Sequence, residues 1–277
     1  LKNNILFSNS DLIVDNLEIK NVDFFIKKYD NDSITNLEFF LEKISNEKSH
    51  EIDSIFIENI DLSISKIHLQ NEIDTIYLND LLVNFDSFYF SKNNGLKVDS
   101  VLIKKDKSFF ISSLNSYKID EKKISMNVLK SKINLNDFFS KQYNEDDFVN
   151  FSALISSRER YVDFENLNIN YKESFLEGNI SYDQNMKLFY FEIIKSLFKD
   201  NDLLYFSSKN DQFIPKYFLD LGDIAYSGKN AWFGNNLDCD GIIDTNHGSS
   251  KFKFNFLLSD SINNSSYKGS IDVLNFD

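Results

Sequence analysis

Few residues of this chain are placed to do chemistry, and the most suggestive group is an acidic stretch near its C-terminal end. Asn236–Asp244 puts three aspartates and one glycine at positions 3, 5, 6 and 9 of a calcium-binding loop. The twelfth position would be His247, whereas such loops supply a bidentate glutamate there, and no helices are predicted on either side. We therefore favour a glycine-containing strand, Leu237–Asp244, that ends in the Asn246–Gly248 turn, and we keep calcium as the alternative.

Other catalytic and metal-binding patterns are missing from the sequence. The histidines His50, His68 and His247 are far apart, and Cys239 is the only cysteine, so the redox compartment stays open. There is no phosphate loop, dinucleotide glycine fingerprint, nucleophile elbow or HExxH motif. We predict a protein that is not an enzyme and carries no cofactor and no metal.

The charge balance excludes further classes of partner. The formal net charge is −13 and the only arginines are Arg158 and Arg160, so a basic surface for phosphates is lacking. We expect no nucleic-acid partner and no attachment to anionic lipid through charge.

Composition favours strands over helices. The 277 residues include 28 Phe and 13 Tyr but only three Ala, and turn signals recur about every 8 to 12 residues. No linker rich in Gly, Pro or Ser interrupts them. We predict an all-β chain, 1–277, arranged as one continuous meander.

One strand design recurs along the chain. Tyr161–Tyr171 alternates apolar and polar residues, steps sideways at Glu165-Asn166, and then continues its apolar row. The order acid, Asn, apolar returns at Asp15–Ile19 and Glu58–Leu62, with a looser version at Asn79–Val83. The step is a candidate β-bulge that adds twist to the sheet.

Local signals predict the remaining elements. Thr35 and Glu38 form a capping box for a short helix over about 35–45. Asn93-Asn94-Gly95 predicts a hairpin, and Asn136–Ser140 one helical turn capped by Asn134 or Asn136.

Further segments are assigned by their alternation. Asp200–Phe206 suits either a helix or a strand, and Ile52–Phe90 suits several short strands separated by polar breaks. Lys251–Phe256 is the cleanest alternation, with polar residues on one face and aromatic residues on the other.

Three segments of the first half carry a resemblance to a known family. Asp32–Leu41 resembles the polar turn, Asn-Leu and helix near the start of AsmA-like proteins. Phe88–Ser100 resembles the serine, short turn, glycine and strand of TamB proteins from Bacteroidetes, and Ser131–Phe139 is similar to the Ser-x-Ile-x-Leu-x-Asp-Leu step that follows there.

The last third carries the same resemblance. Ile224–Gly234, Gly241–Gly248 and Tyr267–Asp277 resemble, in this order, a family run of G-x-x-x-G, strand, Thr-x-x-Gly, strand, Tyr-x-Gly, strand and Phe-Asp. The Leu-Gly that the family has after Phe-Asp, its long C-terminal domain and its N-terminal membrane helix are not in this sequence. We therefore expect an internal segment of a longer protein.

The resemblance implies both a fold and a function. The family's fold is an elongated, mostly antiparallel, twisted sheet with one to three short helices, folded lengthwise into a taco-like groove. The implied role is a periplasmic bridge, anchored in the inner membrane, that moves phospholipid between the membranes and supports outer-membrane protein assembly and secretion. Its implied partners are phospholipid acyl chains, the inner membrane, and an outer-membrane assembly protein of the BamA/TamA type. No catalytic residues carry over.

Groove lining is predicted for residues on the apolar side of the strands. The alternative is a closed β-sandwich or β-solenoid of a surface protein, in which the same residues form a sealed core. The candidate lining residues are Leu17, Ile19, Ile60, Leu62, Val162, Phe164, Leu167, Ile169, Tyr171, Leu176, Ile180, Tyr182, Phe252, Phe254, Phe256, Ile271 and Val273.

Overall fold

A computed structural model describes most of the chain. The described residues are 5–8, 11–27, 36, 53–70, 75–91, 95–118, 123–137, 143–144, 146–158, 160–209, 220–257 and 266–276.

These residues form one sheet whose strand order follows the chain from the first strand to the last. The prediction of an all-β, mostly antiparallel fold is confirmed. The strands are β1 (Ile5–Ser8), β2 (Asp11–Lys27), β3 (Ser54–Gln70), β4 (Thr75–Ser91), β5 (Gly95–Lys105), β6 (Ser108–Lys118), β7 (Lys123–Asn134), β8 (Phe148–Arg158), β9 (Tyr161–Tyr171), β10 (Ser174–Asp183), β11 (Leu188–Leu197), β12 (Ile224–Phe233), β13 (Asn236–Thr245), β14 (Gly248–Leu257) and β15 (Ser266–Phe276).

Two helical elements accompany the sheet. A 3-10 helix, Leu135–Asp137, follows β7, and the N–H of Asn136 donates to Oδ1 of Asn134 at 2.9 Å. Asn134 is therefore the cap of the predicted turn. The ambiguous segment after β11 is a helix, α1 (Asp200–Lys209).

Among the strand pairs whose register is described, β2 and β3 are parallel and the others are antiparallel. Parallel neighbours need a crossover of a dozen residues or more, and residues 28–53 lie between these two strands. Asn36 within them is helical, and its side chain accepts from the N–H of Lys27 at 2.9 Å and donates to the carbonyl of Phe25 at 2.8 Å. The other residues of the predicted 35–45 helix lie outside the described part of the chain.

The parallel pair places two copies of the repeated motif side by side. Asn16 is in register with Asn59, and Leu17 with Ile60. Nδ2 of Asn59 donates to Oδ1 of Asn16 at 3.2 Å. The motif that recurs in the sequence therefore lies in register on two neighbouring strands.

Of the polar breaks expected between Ile52 and Phe90, the one between Leu69 and Ile76 coincides with the passage from β3 to β4. The shorter breaks are wrong, since β3 and β4 each run for 17 residues. Asp80 and Ser87 take positive φ angles of 56° and 55° inside β4. Single left-handed residues kink a strand without ending it. The strands also continue through polar residues such as Asn59 and Asn84, because the backbone at these positions stays paired with the neighbouring strand.

Contacts divide the chain into two compact units, Leu1–Ser131 and Lys132–Asp277. The boundary falls inside β7. The first unit has a buried cluster of Ile64, Leu81, Val83, Val98 and Val101, with partly buried apolar side chains packed against it.

Candidate functional site

The candidate site in the second unit is an apolar face that runs from β9 to β15. Directly paired residues on neighbouring strands point to the same side of a sheet, so the strand register shows which side chains share this face. One row crosses all seven strands, and we call it the aromatic row: Val162, Tyr182, Phe189, Trp232, Leu237, Phe256 and Tyr267.

Two further rows lie beside the aromatic row on the same face. One consists of Phe164, Ile180, Phe191, Asn230, Cys239, Phe254 and Gly269. The other consists of Leu167, Gly178, Ile193, Gly228, Gly241, Phe252 and Ile271.

Aromatic rings contact one another across these rows. Tyr182 stacks on Phe189 with ring centroids 4.2 Å apart, and Phe254 lies 5.5 Å from Phe256. Several members are nevertheless open to solvent: Phe189 is 43% exposed and Trp232 48%. The aromatic row is therefore an accessible apolar surface rather than a sealed core.

A glycine pair lets one ring lie flat on this face. Gly228 and Gly241 are directly paired, and a Cβ on Gly241 would come within 2.5 Å of the Tyr226 ring. Tyr226 stacks in turn on Phe252 at 5.8 Å. The two glycines thus have a packing role that their sequence positions alone did not reveal.

The opposite face of the same strands carries cross-strand ion pairs, next to exposed apolar side chains such as Ile194 and Phe233. Lys229 lies 3.3 Å from Glu192, and Lys253 lies 3.4 Å from Asp240 across neighbouring strands. The hydrogen bond with Glu192 raises the pKa of Lys229. Alternating charges thus pair across the side of the sheet that turns away from the aromatic row.

The acidic stretch considered for calcium belongs to this opposite face. Asp238 accepts from Asn255 at 2.6 Å, and Asp240 pairs with Lys253. The stretch is part of strand β13, as favoured from the sequence. Among the residues that the structure describes, no three His, Cys, Asp or Glu side chains are grouped as a metal site requires.

The predicted lining residues of the second unit fall on the apolar face. Val162, Phe164, Leu167, Ile180, Tyr182, Phe252, Phe254, Phe256 and Ile271 belong to the three rows above. Ile169, Tyr171 and Leu176 lie nearer the end of the face where α1 packs. Val273 pairs with Ser250 in β14.

The four predicted lining residues of the first unit form two adjacent pairs in β2 and β3. Leu17 pairs with Ile60, and Ile19 pairs with Leu62. Ile60 is only 6% exposed, whereas Ile19 is 40% exposed. Burial therefore differs within this group, and Ile60 belongs to a packed part of its unit.

Several members of the aromatic row were missed in the sequence. Phe189 and Trp232 sit beside other apolar residues, so alternation did not show which face they occupy. Tyr267 stands between Ser266 and Lys268, and its alternation with Ile271 is the signal that places it on this face. The turn at Gly234-Asn235, which pairs Phe233 with Asn236, is the signal that would have placed Trp232 opposite Leu237.

Tyr171 has a second role at the end of the apolar face. Its hydroxyl lies 3.4 Å from Asp147, whose carboxylate also accepts from the Tyr205 hydroxyl and lies 3.2 Å from Nζ of Lys172. Burial opposes the charge on Asp147, but the hydrogen bonds from Tyr205, from the Asn144 N–H and from Lys172 outweigh it and lower the pKa.

Helix α1 is held against the sheet by this cluster and by a second carboxylate. Asp202 accepts from the Ser174 hydroxyl at 2.8 Å and from the N–H groups of Ser174 and Glu173 at 3.1 and 3.2 Å. Beneath the helix lies an apolar cavity of about 310 Å³, lined in part by Ile169, Leu176 and Leu203.

Comparison with known proteins adds no relative: no family model, curated protein or solved structure matches this chain. Across the described ranges, no helix is long and apolar enough to cross a membrane.

Proposed function

We propose that this chain is a segment of a periplasmic bridge whose apolar face carries phospholipid acyl chains between the inner and outer membranes. In this role it supports outer-membrane protein assembly and secretion, as the resemblance to TamB and AsmA-like proteins implies. The observation that carries the proposal is the exposed aromatic row, which crosses seven strands whose other face carries cross-strand ion pairs.

Exposed apolar surface of this kind is costly unless something apolar covers it. A large apolar side chain left in water forgoes about 1.5–3 kcal/mol of burial free energy. Extended apolar patches on soluble proteins commonly mark binding sites for lipid or protein. Acyl chains suit this face because its rings offer contact area along many strands and few directional hydrogen bonds.

A pair of neighbouring residues allows a direct test. Trp232 is on the apolar face and 48% exposed, and Phe233 is on the opposite face and 54% exposed. With a photoreactive benzoyl-phenylalanine at either position, in a host with phospholipid membranes, we expect phospholipid adducts from position 232 and none from position 233. The adducts are identified by mass spectrometry.

Cys239 supplies a second readout without mutation, because it is the sole cysteine and lies on the apolar face. Burial raises the pKa of its thiol, so alkylation is measured at a fixed alkaline pH. We expect phospholipid vesicles to slow alkylation. Equal crosslinking from positions 232 and 233, together with unchanged alkylation, would contradict lipid binding and favour a closed structural module.

A further inference from the structure

The cavity of about 310 Å³ between the sheet and α1 lies at one end of the apolar face of the second unit. The sheet contributes Val149, Ile169 and Leu176 to its walls, Phe198 follows β11, and Leu203 belongs to α1. Protein interiors rarely leave a void larger than a water molecule. A cavity of this volume is therefore a candidate binding site.

The polar groups beside the cavity bind one another. The Asp202 carboxylate accepts from the Ser174 hydroxyl at 2.8 Å, and the Ser174 oxygen accepts from the N–H of Lys199 at 3.0 Å. The Tyr171 hydroxyl is 3.4 Å from Asp147. A polar ligand inside the cavity would lose its water without gaining hydrogen bonds in return, so these walls select against it.

The volume and the walls suit a hydrocarbon. An apolar cavity of about 150 Å³, roughly half this size, stays free of water and takes benzene or xenon. A methylene group occupies about as much space as a water molecule does in the liquid, about 30 Å³. The cavity therefore has room for about ten carbon atoms of an alkyl chain.

The position of the cavity favours a chain over a compact molecule. Ile169 and Leu176 are directly paired, and the next pair along the same face, Leu167 and Gly178, belongs to one of the three apolar rows. The step from one pair to the next is about 7 Å along the strands. A long, narrow ligand can thus keep one end in the cavity and continue over the exposed rows.

We propose that the cavity beneath α1 binds the methyl end of one hydrocarbon chain, while the polar end of the same molecule stays outside. The chain belongs to a phospholipid or to a free fatty acid, which share this chemistry. The phospholipid source rests on the proposed function, whereas the walls of the cavity would bind either chain.

Chain length tests the fit. In a series of saturated fatty acids from hexanoic to palmitic acid, each added methylene should strengthen binding about fourfold until the cavity is full. Beyond that length the gain per methylene should fall, because one side of the chain then faces water. Displacement of cis-parinaric acid, whose fluorescence rises in apolar surroundings, measures the affinity. Affinity that does not change with chain length would overturn the proposal.

Filling the cavity tests its location. Leu203→Phe places a larger side chain in the cavity from α1, and Leu176→Phe does so from the sheet, so we expect each to weaken palmitic acid binding tenfold or more. The matched control is Leu204→Phe, because Leu204 is the next residue of α1, is 44% exposed and does not line the cavity. We expect it to bind like the wild type.

Circular dichroism establishes that each of these variants is folded. A folded Leu176→Phe chain with wild-type affinity, or equal binding by Leu203→Phe and Leu204→Phe, would place the chain elsewhere and overturn the proposal.

Photolabelling separates this site from the proposed function. Phosphatidylcholine and palmitic acid, each with a diazirine near the methyl end of the chain, should label peptides that contain Ile169, Leu176 or Leu203. Phosphatidylcholine adducts around Trp232 without any in the cavity would overturn the chain site and leave the lipid-bridge proposal standing. Labelling of the cavity by palmitic acid alone would support the chain site and contradict phospholipid as its source.

Discussion

At the scale of single residues, Asp147 is a buried carboxylate whose contacts bear on stability. Its side chain is 2% exposed and lies between β8 and α1, where it meets Tyr205, Lys172 and the N–H of Asn144. A buried carboxylate is tolerated when donors surround it, and removing its charge leaves those donors poorly satisfied.

We expect Asp147→Asn to lower the free energy of unfolding by about 1–3 kcal/mol at pH 7. Folding lowers the pKa of Asp147, so its contribution is complete above the ordinary aspartate pKa of about 3.9 and is lost as the pH falls through the lower folded value. The difference between variant and wild type should therefore shrink below about pH 4. Urea unfolding at pH 7 and at pH 3 measures it.

Asp146→Asn is the control, because it removes the same charge from the exposed neighbouring residue. Asp146→Asn should lower the free energy of unfolding at pH 7 far less than Asp147→Asn does. If both variants lost the same free energy of unfolding, the destabilisation would come from the change in net charge and not from the buried contacts of Asp147.

At the scale of the element, the step in β9 is a bulge, as its sequence predicted. Asn166 has a positive φ of 52°, and β9 carries one extra residue relative to both β8 and β10. The N–H of Asn166 donates to Oδ1 of Asn179 at 3.0 Å. The bulge keeps Phe164 and Leu167 on one face, because it absorbs the odd residue between them.

Asn166→Val tests the bulge, since β-branched residues strongly disfavour positive φ. We expect it to lower the free energy of unfolding by about 1–3 kcal/mol, although valine is a better strand former than asparagine. Asn166→Gly should be nearly neutral. Chemical denaturation of both variants provides the measurement.

Asn170→Val, at an exposed position of the same strand, is the matched control. It should leave stability almost unchanged. If valine were tolerated equally well at 166 and 170, the left-handed backbone at Asn166 would not be a constraint on the strand.

At the scale of the whole molecule, each unit organises its apolar residues differently. In the first unit, Val98 is 1% exposed and Val83 6% within a buried cluster, while Phe25 and Leu82 are 58% and 53% exposed. In the second unit, Phe189 and Trp232 stay exposed on a sheet whose other side carries ion pairs. Transport along an apolar surface requires the second arrangement.

The lipid-bridge proposal predicts that one charge on the apolar face interrupts transfer. Phe254→Asp places a carboxylate amid Phe252, Phe256 and Tyr267, and we expect it to reduce phospholipid transfer between vesicles by tenfold or more. Ile169→Asp should act similarly.

The control is Leu257→Asp, because Leu257 lies on the other face of β14, opposite Asn236, and is 46% exposed. Fluorescent-lipid transfer compares the variants after circular dichroism confirms that each is folded. Equal transfer by Phe254→Asp and Leu257→Asp would contradict a role of the apolar face in transport.

Local sequence determined much of this protein. Alternation with period two identified the strands and their faces, so Phe252, Phe254 and Phe256 were assigned to one side. The Glu165-Asn166 step and the Asn134 cap were also readable, because a bulge or a cap depends on the backbone preferences of a few adjacent residues.

Tertiary structure decided which strands are neighbours and which side chains meet. Three features join residues that are far apart in the chain: the parallel pairing of β2 with β3, the place of Trp232 in the aromatic row, and the Asp147–Tyr205 contact. In the last case the two residues are 58 positions apart. Such contacts depend on strand register and on burial against distant partners, and no local propensity encodes them.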